Sequence, residues 1–228
     1  SAVVIEGAVS RPIRQTIDAT AGLEKDLGKL RLSAVAGILN DRYGDATLDT
    51  GEKLSQRERD STLYNLRLRT GYEISPALTP FAEVEVGRRE YETKVDAAGY
   101  RRSADRLAAR AGLGLDLGEK LRGEVAAGWL QEKPDDRRLE VISGPALDAN
   151  LVWSPERGTD VTLYGSTTVD GTTTPGESGS LLYTLRGSVD RRIRADLTAT
   201  ALLGLSWRDY MGSTEHDLTL TGEASLTW

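Results

Sequence analysis

LYNLRLRTGYEISPALTPFAEVEVGRREYET, residues 63–93, is the stretch on which the fold turns. Its even positions read Tyr64, Leu66, Leu68, Thr70, Tyr72, Ile74, and the odd ones between them Asn65, Arg67, Arg69, Gly71, Glu73. Strict period two is the signature of a strand with two chemically different faces. A helix would set Arg67 and Leu68 about 100° apart and scatter both kinds of residue around its surface. The Ser75-Pro76-Ala77-Leu78 turn then sends the chain back, which makes the unit an antiparallel hairpin.

Working outward, the same alternation returns in three more windows. Leu107, Ala109, Ala111, Leu113 and Leu115 alternate with Arg106, Ala108, Arg110, Gly112, Gly114 and Asp116. Leu197, Ala199, Ala201, Leu203, Leu205 and Trp207 alternate with Thr198, Thr200, Leu202, Gly204, Ser206 and Arg208. Leu218, Leu220, Gly222, Ala224, Leu226 and Trp228 alternate with Thr219, Thr221, Glu223, Ser225 and Thr227. Short turns at 26–28, 75–78, 116–119, 154–158 and 190–194 alternate with longer polar connections near 44–58, 93–102, 133–138, 171–179 and 211–215. Twelve strands are expected, at about 2–9, 13–25, 29–43, 59–74, 79–93, 101–116, 120–133, 138–153, 159–171, 178–190, 195–210 and 215–228.

Composition narrows the setting. The 228 residues include 29 Lys and Arg, 35 Asp and Glu, one His and no Cys, for a formal charge of −6. Without Cys there is no disulfide framework, and one His leaves no zinc ligand set. No metal or cofactor is expected. A net acidic chain lacks the basic face that nucleic acid requires. No run approaches 18 apolar residues, so no helix is expected to span a bilayer. The 24 Gly make up about one residue in ten against a usual ~7%. There is neither an initiating Met nor a charged-then-apolar leader, as expected of a mature or trimmed chain.

Every expected strand except the first is long enough to cross a membrane, since a tilted transmembrane strand needs roughly 9–11 residues. Backbone groups in hydrocarbon must be satisfied within the structure, so the sheet is expected to close. The expected fold is therefore all-β, one closed antiparallel up-and-down transmembrane β-barrel of about 12 strands filling residues 1–228. With an even count, both termini fall on the side of the short turns, which is periplasmic in outer-membrane barrels, and the long loops face outward. A soluble barrel would turn the Ala, Leu, Val and Gly face inward and leave a poorly filled interior.

Aromatic residues near strand ends are expected to form two interfacial girdles. Tyr72, Phe81, Trp153 and Trp228 belong to the short-turn side, and Tyr43, Tyr64, Trp129, Tyr183, Trp207 and Tyr210 to the long-loop side.

The hairpin 63–93, followed by GYRRSADRLAARAGLGLDLGEKLRGEVAAGWLQEK (99–133) and LVWSPERGTDVTLYGSTTV (151–169), resembles the β-barrel porins of proteobacterial outer membranes. The turns Tyr72 to Pro80 and Leu151 to Pro155 carry most of the likeness, which covers 60–228 and extends more loosely before that. Family members tend to be longer, so the chain is expected to be the barrel portion. The resemblance implies a Gram-negative outer-membrane location. It implies outer-membrane lipid and lipopolysaccharide as surroundings, and recognition of the aromatic-ended last strand by the barrel assembly machinery. It implies no solute and no oligomeric state.

Function is expected on the inward face. Its candidate lining residues are Arg67, Arg69, Glu73, Glu83, Glu85, Arg106, Arg110, Asp116, Arg122, Glu124, Arg186, Arg208 and Glu223. The turns bring Arg69 roughly opposite Glu85, and Asp116 roughly opposite Arg122. Later strands offer a shorter, neutral lining of Thr162, Ser166, Thr168, Thr184, Ser188, Thr198, Thr200, Thr219 and Thr221. Twelve strands about 4.8 Å apart and tilted about 45° enclose a backbone radius of roughly 13 Å. Long Arg and Glu side chains then leave a narrow channel or none. A narrow pore for ions or small hydrophilic solutes, the leading expectation, competes with a plugged structural or envelope scaffold.

No catalytic residue is assigned. The different-class alternative is an outer-membrane hydrolase using His216, flanked by Glu215 and Asp217 and close to Asp209. No Ser sits at an elbow motif. The loop acids Asp41, Asp45, Asp49, Glu52, Asp135 and Asp136 fit no calcium-loop spacing and read as hydrated loop tips.

Overall fold

The structure, a computed structural model, describes residues 13–228. The strand expected at 2–9 lies outside the described residues. The chain forms β1 (Arg14–Leu27), β2 (Leu30–Tyr43), β3 (Ala46–Thr47), β4 (Lys53–Leu54), β5 (Ser61–Tyr72), β6 (Leu78–Tyr91), β7 (Ala104–Asp116), β8 (Leu121–Pro134), β9 (Ile142–Glu156), β10 (Thr159–Gly171), β11 (Gly179–Arg194), β12 (Leu197–Met211) and β13 (His216–Thr227). One 3-10 turn, Arg57–Arg59, is the only helical element among the described residues.

Eleven long strands make one sheet in the order β1-β2-β5-β6-β7-β8-β9-β10-β11-β12-β13, each antiparallel to its neighbours. The pair β3-β4 is a separate small hairpin in the connection between β2 and β5. Neighbours in sequence are neighbours in space, as tight hairpins dictate. Three of those hairpins take a left-handed residue in the turn, supplied by Gly28 (φ 65°), Gly118 (φ 70°) and Gly158 (φ 84°).

Register decides which side chains share a face. Leu68, Val84, Ala109, Trp129 and Pro145 lie opposite one another in one row. Arg67, Glu85, Ala108, Leu130 and Gly144 make the next row, on the other face. Burial is reversed relative to a water-soluble protein. Val84 and Val86 are 47% and 45% exposed, whereas Glu83 and Glu85 are 4% and 0% exposed. A sheet that covers its charges and bares its aliphatic residues suits an apolar solvent.

The sheet curls toward its charged face. Arg14 on β1 reaches Asp170 on β10 at 3.7 Å, with six strands of the sheet between them. The closed barrel expected from sequence is not completed within the described residues, where β1 pairs only with β2 and β13 only with β12. As first and eleventh strands of an alternating sheet, β1 and β13 run in the same direction, so their direct union would be parallel. The all-β, up-and-down architecture stands, and the eleven described strands match eleven expected segments apart from a few terminal residues. The largest shifts are at β11, which ends at 194 rather than 190, and at β9, which starts at 142 rather than 138. Asp136 holds the preceding residues in a turn by accepting from the Arg101 and Arg138 backbone N–H groups at 3.0 Å each.

Candidate functional site

The charged face carries an ionic lattice built on β5–β8. Glu85, on β6, accepts from Arg106 Nε at 2.7 Å, from Arg110 at 3.1 Å and from Asn65 at 3.2 Å, with Arg67 3.5 Å away. Glu83 lies 2.7 Å from Arg69, 3.3 Å from Arg110 and 3.8 Å from Arg67. Arg106 also donates to Glu132 at 3.0 Å, and Glu132 accepts from Arg89 Nε at 2.8 Å. Burial without such partners would be prohibitive for these ions, and alternating sign in adjacent strands supplies the partners.

The cross-strand register differs from the expected one by two residues. Arg69 stands opposite Glu83, and Arg67 opposite Glu85. Strand β5 ends two residues earlier than expected, at Tyr72, and β6 begins one residue earlier, at Leu78, which moves the turn toward the N-terminus. Arg69 also reaches past two strands to Glu124 at 2.9 Å. Asp116 does stand opposite Arg122, yet its carboxylate accepts from the Gly118 backbone N–H at 3.1 Å and makes no ion pair among the described residues. Glu73 pairs with Arg31. Arg186 covers the Tyr164 ring at 4.7 Å, Arg208 donates to Asp170 and Ser180 at 2.8 Å each, and Glu223 is exposed opposite Leu202.

Sequence reading missed the continuation of this lattice toward the long loops. Arg14 and Thr16 both bond Asp41, which is buried, and Arg89 and Glu132 are buried together. Period two carried past Glu85 leads to Arg89 and Tyr91, and through β1 it puts Arg14, Thr16 and Asp18 on one face, so the signal was present.

Several aromatics expected in girdles stand elsewhere. Phe81 is buried on the charged face beneath Arg69, whose guanidinium carbon is 3.9 Å from the ring centroid, because its odd position shares the face of Glu83. Tyr43 shares the face of Asp41, lies opposite Arg14 and is flanked by Arg14 and Arg59 at 5.6 and 4.5 Å. Tyr210 lies opposite Ser180 on the polar face and donates to Asp217 at 2.8 Å. Tyr183 is half-buried against an apolar cluster of Ala108, Leu130, Ile142, Ala146, Val169 and Leu181. Tyr64, Tyr72, Trp129, Trp153, Trp207 and Trp228 are exposed.

Space on the charged face is uneven. At the short-turn end a cavity of about 600 Å³ is lined by Glu24, Asp26, Arg67, Arg69, Phe81, Asp116 and Glu124 among others. At the long-loop end a cavity of about 10 Å³ lies between Arg14, Asp41, Tyr43, Arg89, Tyr91 and Val169.

The connections above that narrow end are tied together, not loose. Arg102 donates to Asp96 at 2.6 Å and to the carbonyls of Glu177 and Thr174 at 2.6 and 3.0 Å. Glu140 accepts from the Gly212 N–H at 2.9 Å, and Glu58 from the Ala97 N–H at 2.7 Å. Asp135 and Asp136 are not the free hydrated tips expected. The Arg88 fork holds the Asp135 carboxyl below its usual range, and Arg138 with the Arg101 N–H does the same for Asp136. Burial pushes the Asp96 carboxyl up, but Arg102 and the Tyr100 N–H outweigh it and leave it depressed. His216 stacks on Trp207 with ring centroids 5.0 Å apart, opposite Asp209 in register.

Compared with known families, the chain matches over residues 1–228 the family described as "Putative beta-barrel porin 2". Comparison with curated proteins and with solved structures returned no match.

Proposed function

The chain belongs to this β-barrel porin family, and on that premise we propose that it is a transmembrane barrel of a Gram-negative outer membrane that passes ions or small hydrophilic solutes along its charged face. The observation that carries this reading is the reversed burial, with Glu85 fully covered beside half-exposed Val84 and Val86. Apolar rows meet lipid, the Arg and Glu lattice lines the passage, and the exposed Trp and Tyr residues sit at the interfaces. Residues 1–228 act as one barrel domain. Closure into the barrel brings an odd number of further strands between β1 and β13, which restores antiparallel pairing. Long loops face outward, where lipopolysaccharide lies, and the short turns and both termini are periplasmic. Assembly machinery acts on the last strand. The function is passage, not catalysis.

A plugged, non-conducting barrel is the second reading, favoured by Val169 and Leu181 packing onto Ala108, Leu130 and Ala146 of the inward face at the long-loop end. Single-channel recording of refolded protein in a planar bilayer, with a salt gradient, separates the two. Stable current steps with a defined ion preference are expected. Correct insertion with no current in the wild type and in all variants described below would overturn the pore.

A further inference from the structure

Pairing between β9 and β10 ends at Asp148↔Ser166, so β9 residues 142–147 and β10 residues 167–171 run on without each other. In place of ladder bonds, the Thr167 hydroxyl donates to the Pro145 carbonyl at 3.2 Å and accepts from the Leu147 N–H at 2.9 Å. Beyond this parting, β10 and β11 cross the charged face of β7–β9. Leu181, fully buried, and Val169 pack on Ala108, Leu130 and Ala146. Those three stand in the rows of Glu85 and Arg110, on the inward face. A Cβ on Gly144 would meet the Tyr183 hydroxyl at 2.5 Å and Leu181 Cδ1 at 2.6 Å. Asp170, neighbour of Val169 on the opposite side, reaches Arg14 of β1. The crossing segment is therefore held from both sides, and Arg102 clasps its connecting loop through two carbonyls.

We infer that the upper ends of β10 and β11 with the connection 172–178 form a strap, latched by Arg102, whose withdrawal opens the passage. This rests on the pore reading. The alternative position is already written in the register. Continuing from Asp148↔Ser166, the ladder would set Val169 opposite Pro145, in the outward row of Trp129, and Asp170 opposite Gly144, in the inward row. Leu181 and Tyr183, on the same side of β11 as the exposed Leu185, would rejoin the outward face. The withdrawn strap thus gains ladder hydrogen bonds and gives its apolar residues to lipid, while the seated strap keeps the Arg102 and Asp170 contacts and the cluster. Two packings with compensating bonds make a bistable element of the kind that gates.

Two variants test it from opposite directions. Arg102→Ala removes the latch, and Gly144→Val pushes on the seat without touching the latch. Each is expected to raise open probability about tenfold, the worth of one charge-assisted hydrogen bond or a comparable clash. In the Cys-free chain, Ala146→Cys, on the inward face beneath the strap, reports its withdrawal through a membrane-impermeant maleimide. Its labelling is expected to be slow alone and about tenfold faster in either variant background. Unchanged open probability and unchanged labelling in both variants overturn the strap even if the protein conducts. Accelerated labelling without current in any variant supports the strap and overturns the pore.

Discussion

Arg14 of β1 and Asp170 of β10 stand 3.7 Å apart although six strands of the sheet lie between them. The contact joins strands that no hairpin brings together. It follows from the curl of the sheet toward its charged side, and it is shared: Arg14 also forks onto Asp41, and Asp170 also accepts from Arg208 at 2.8 Å. Asp170→Asn is expected to cost about 1–2 kcal/mol, the worth of hydrogen bonds to a charged group. Asp41→Asn is expected to cost more, because Asp41 is buried and accepts from Thr16 as well. Urea unfolding in detergent micelles, followed by tryptophan fluorescence, measures both.

Glu85 is the most demanding position in the lattice. Its fully buried carboxylate serves Arg106, Arg110, Arg67 and Asn65 together. Glu85→Ala would leave buried guanidiniums short of a counter-charge, at a cost of about 3–5 kcal/mol. Glu85→Gln keeps an acceptor oxygen and is expected to cost less. Loss of heat-resistant mobility on gels, compared across the pair, ranks them. Equal stability of all three proteins would mean that the lattice contributes nothing to folding.

The outward rows make a reciprocal prediction. Val84→Arg puts a charge where Val84 is 47% exposed, a harmless change if water is outside. In a bilayer it is expected to cost about 2–4 kcal/mol near the midplane. Folding yield into phospholipid vesicles should fall, while Thr219→Arg on the polar face of β13 leaves the yield nearly unchanged.

Acid is expected to loosen the long connections before the strands. Asp135 and Asp136 are held below the usual carboxylate range by Arg88 and Arg138, and Asp96, despite burial, by Arg102. A depressed folded-state pKa contributes stability that is fully present above the unfolded value of about 3.9 and is lost as pH falls through the folded value. Hydrogen-exchange protection factors of residues 92–103 and 135–141, corrected for the intrinsic pH dependence of amide exchange, should therefore be constant from neutrality down to about pH 4 and fall below it. A loss of protection already between pH 7 and about pH 5 would contradict this assignment.

Much of this protein is written in alternation. Arg67 between Leu66 and Leu68, and Glu85 between Val84 and Val86, determine strands with opposed faces whatever surrounds them, because side chains on a strand change sides at every residue. Short turns such as Ser75 to Leu78 determine the antiparallel order, because nothing longer than a hairpin links those strands. Phe81, Tyr43 and Tyr210 obey their parity and stand on the polar face, although nearness to a strand end alone would set them in the girdles. What local sequence does not contain is contact between strands far apart in order. The Arg69 reach to Glu124, the Arg14 approach to Asp170, the Arg102 clasp on Thr174 and Glu177 and the seating of Leu181 over Leu130 all depend on curvature. Curvature is a sum of small twists over the whole sheet. Alternation is a property of each residue and its neighbour, so the sequence alone determined the faces, and the tertiary structure decided what closes over them.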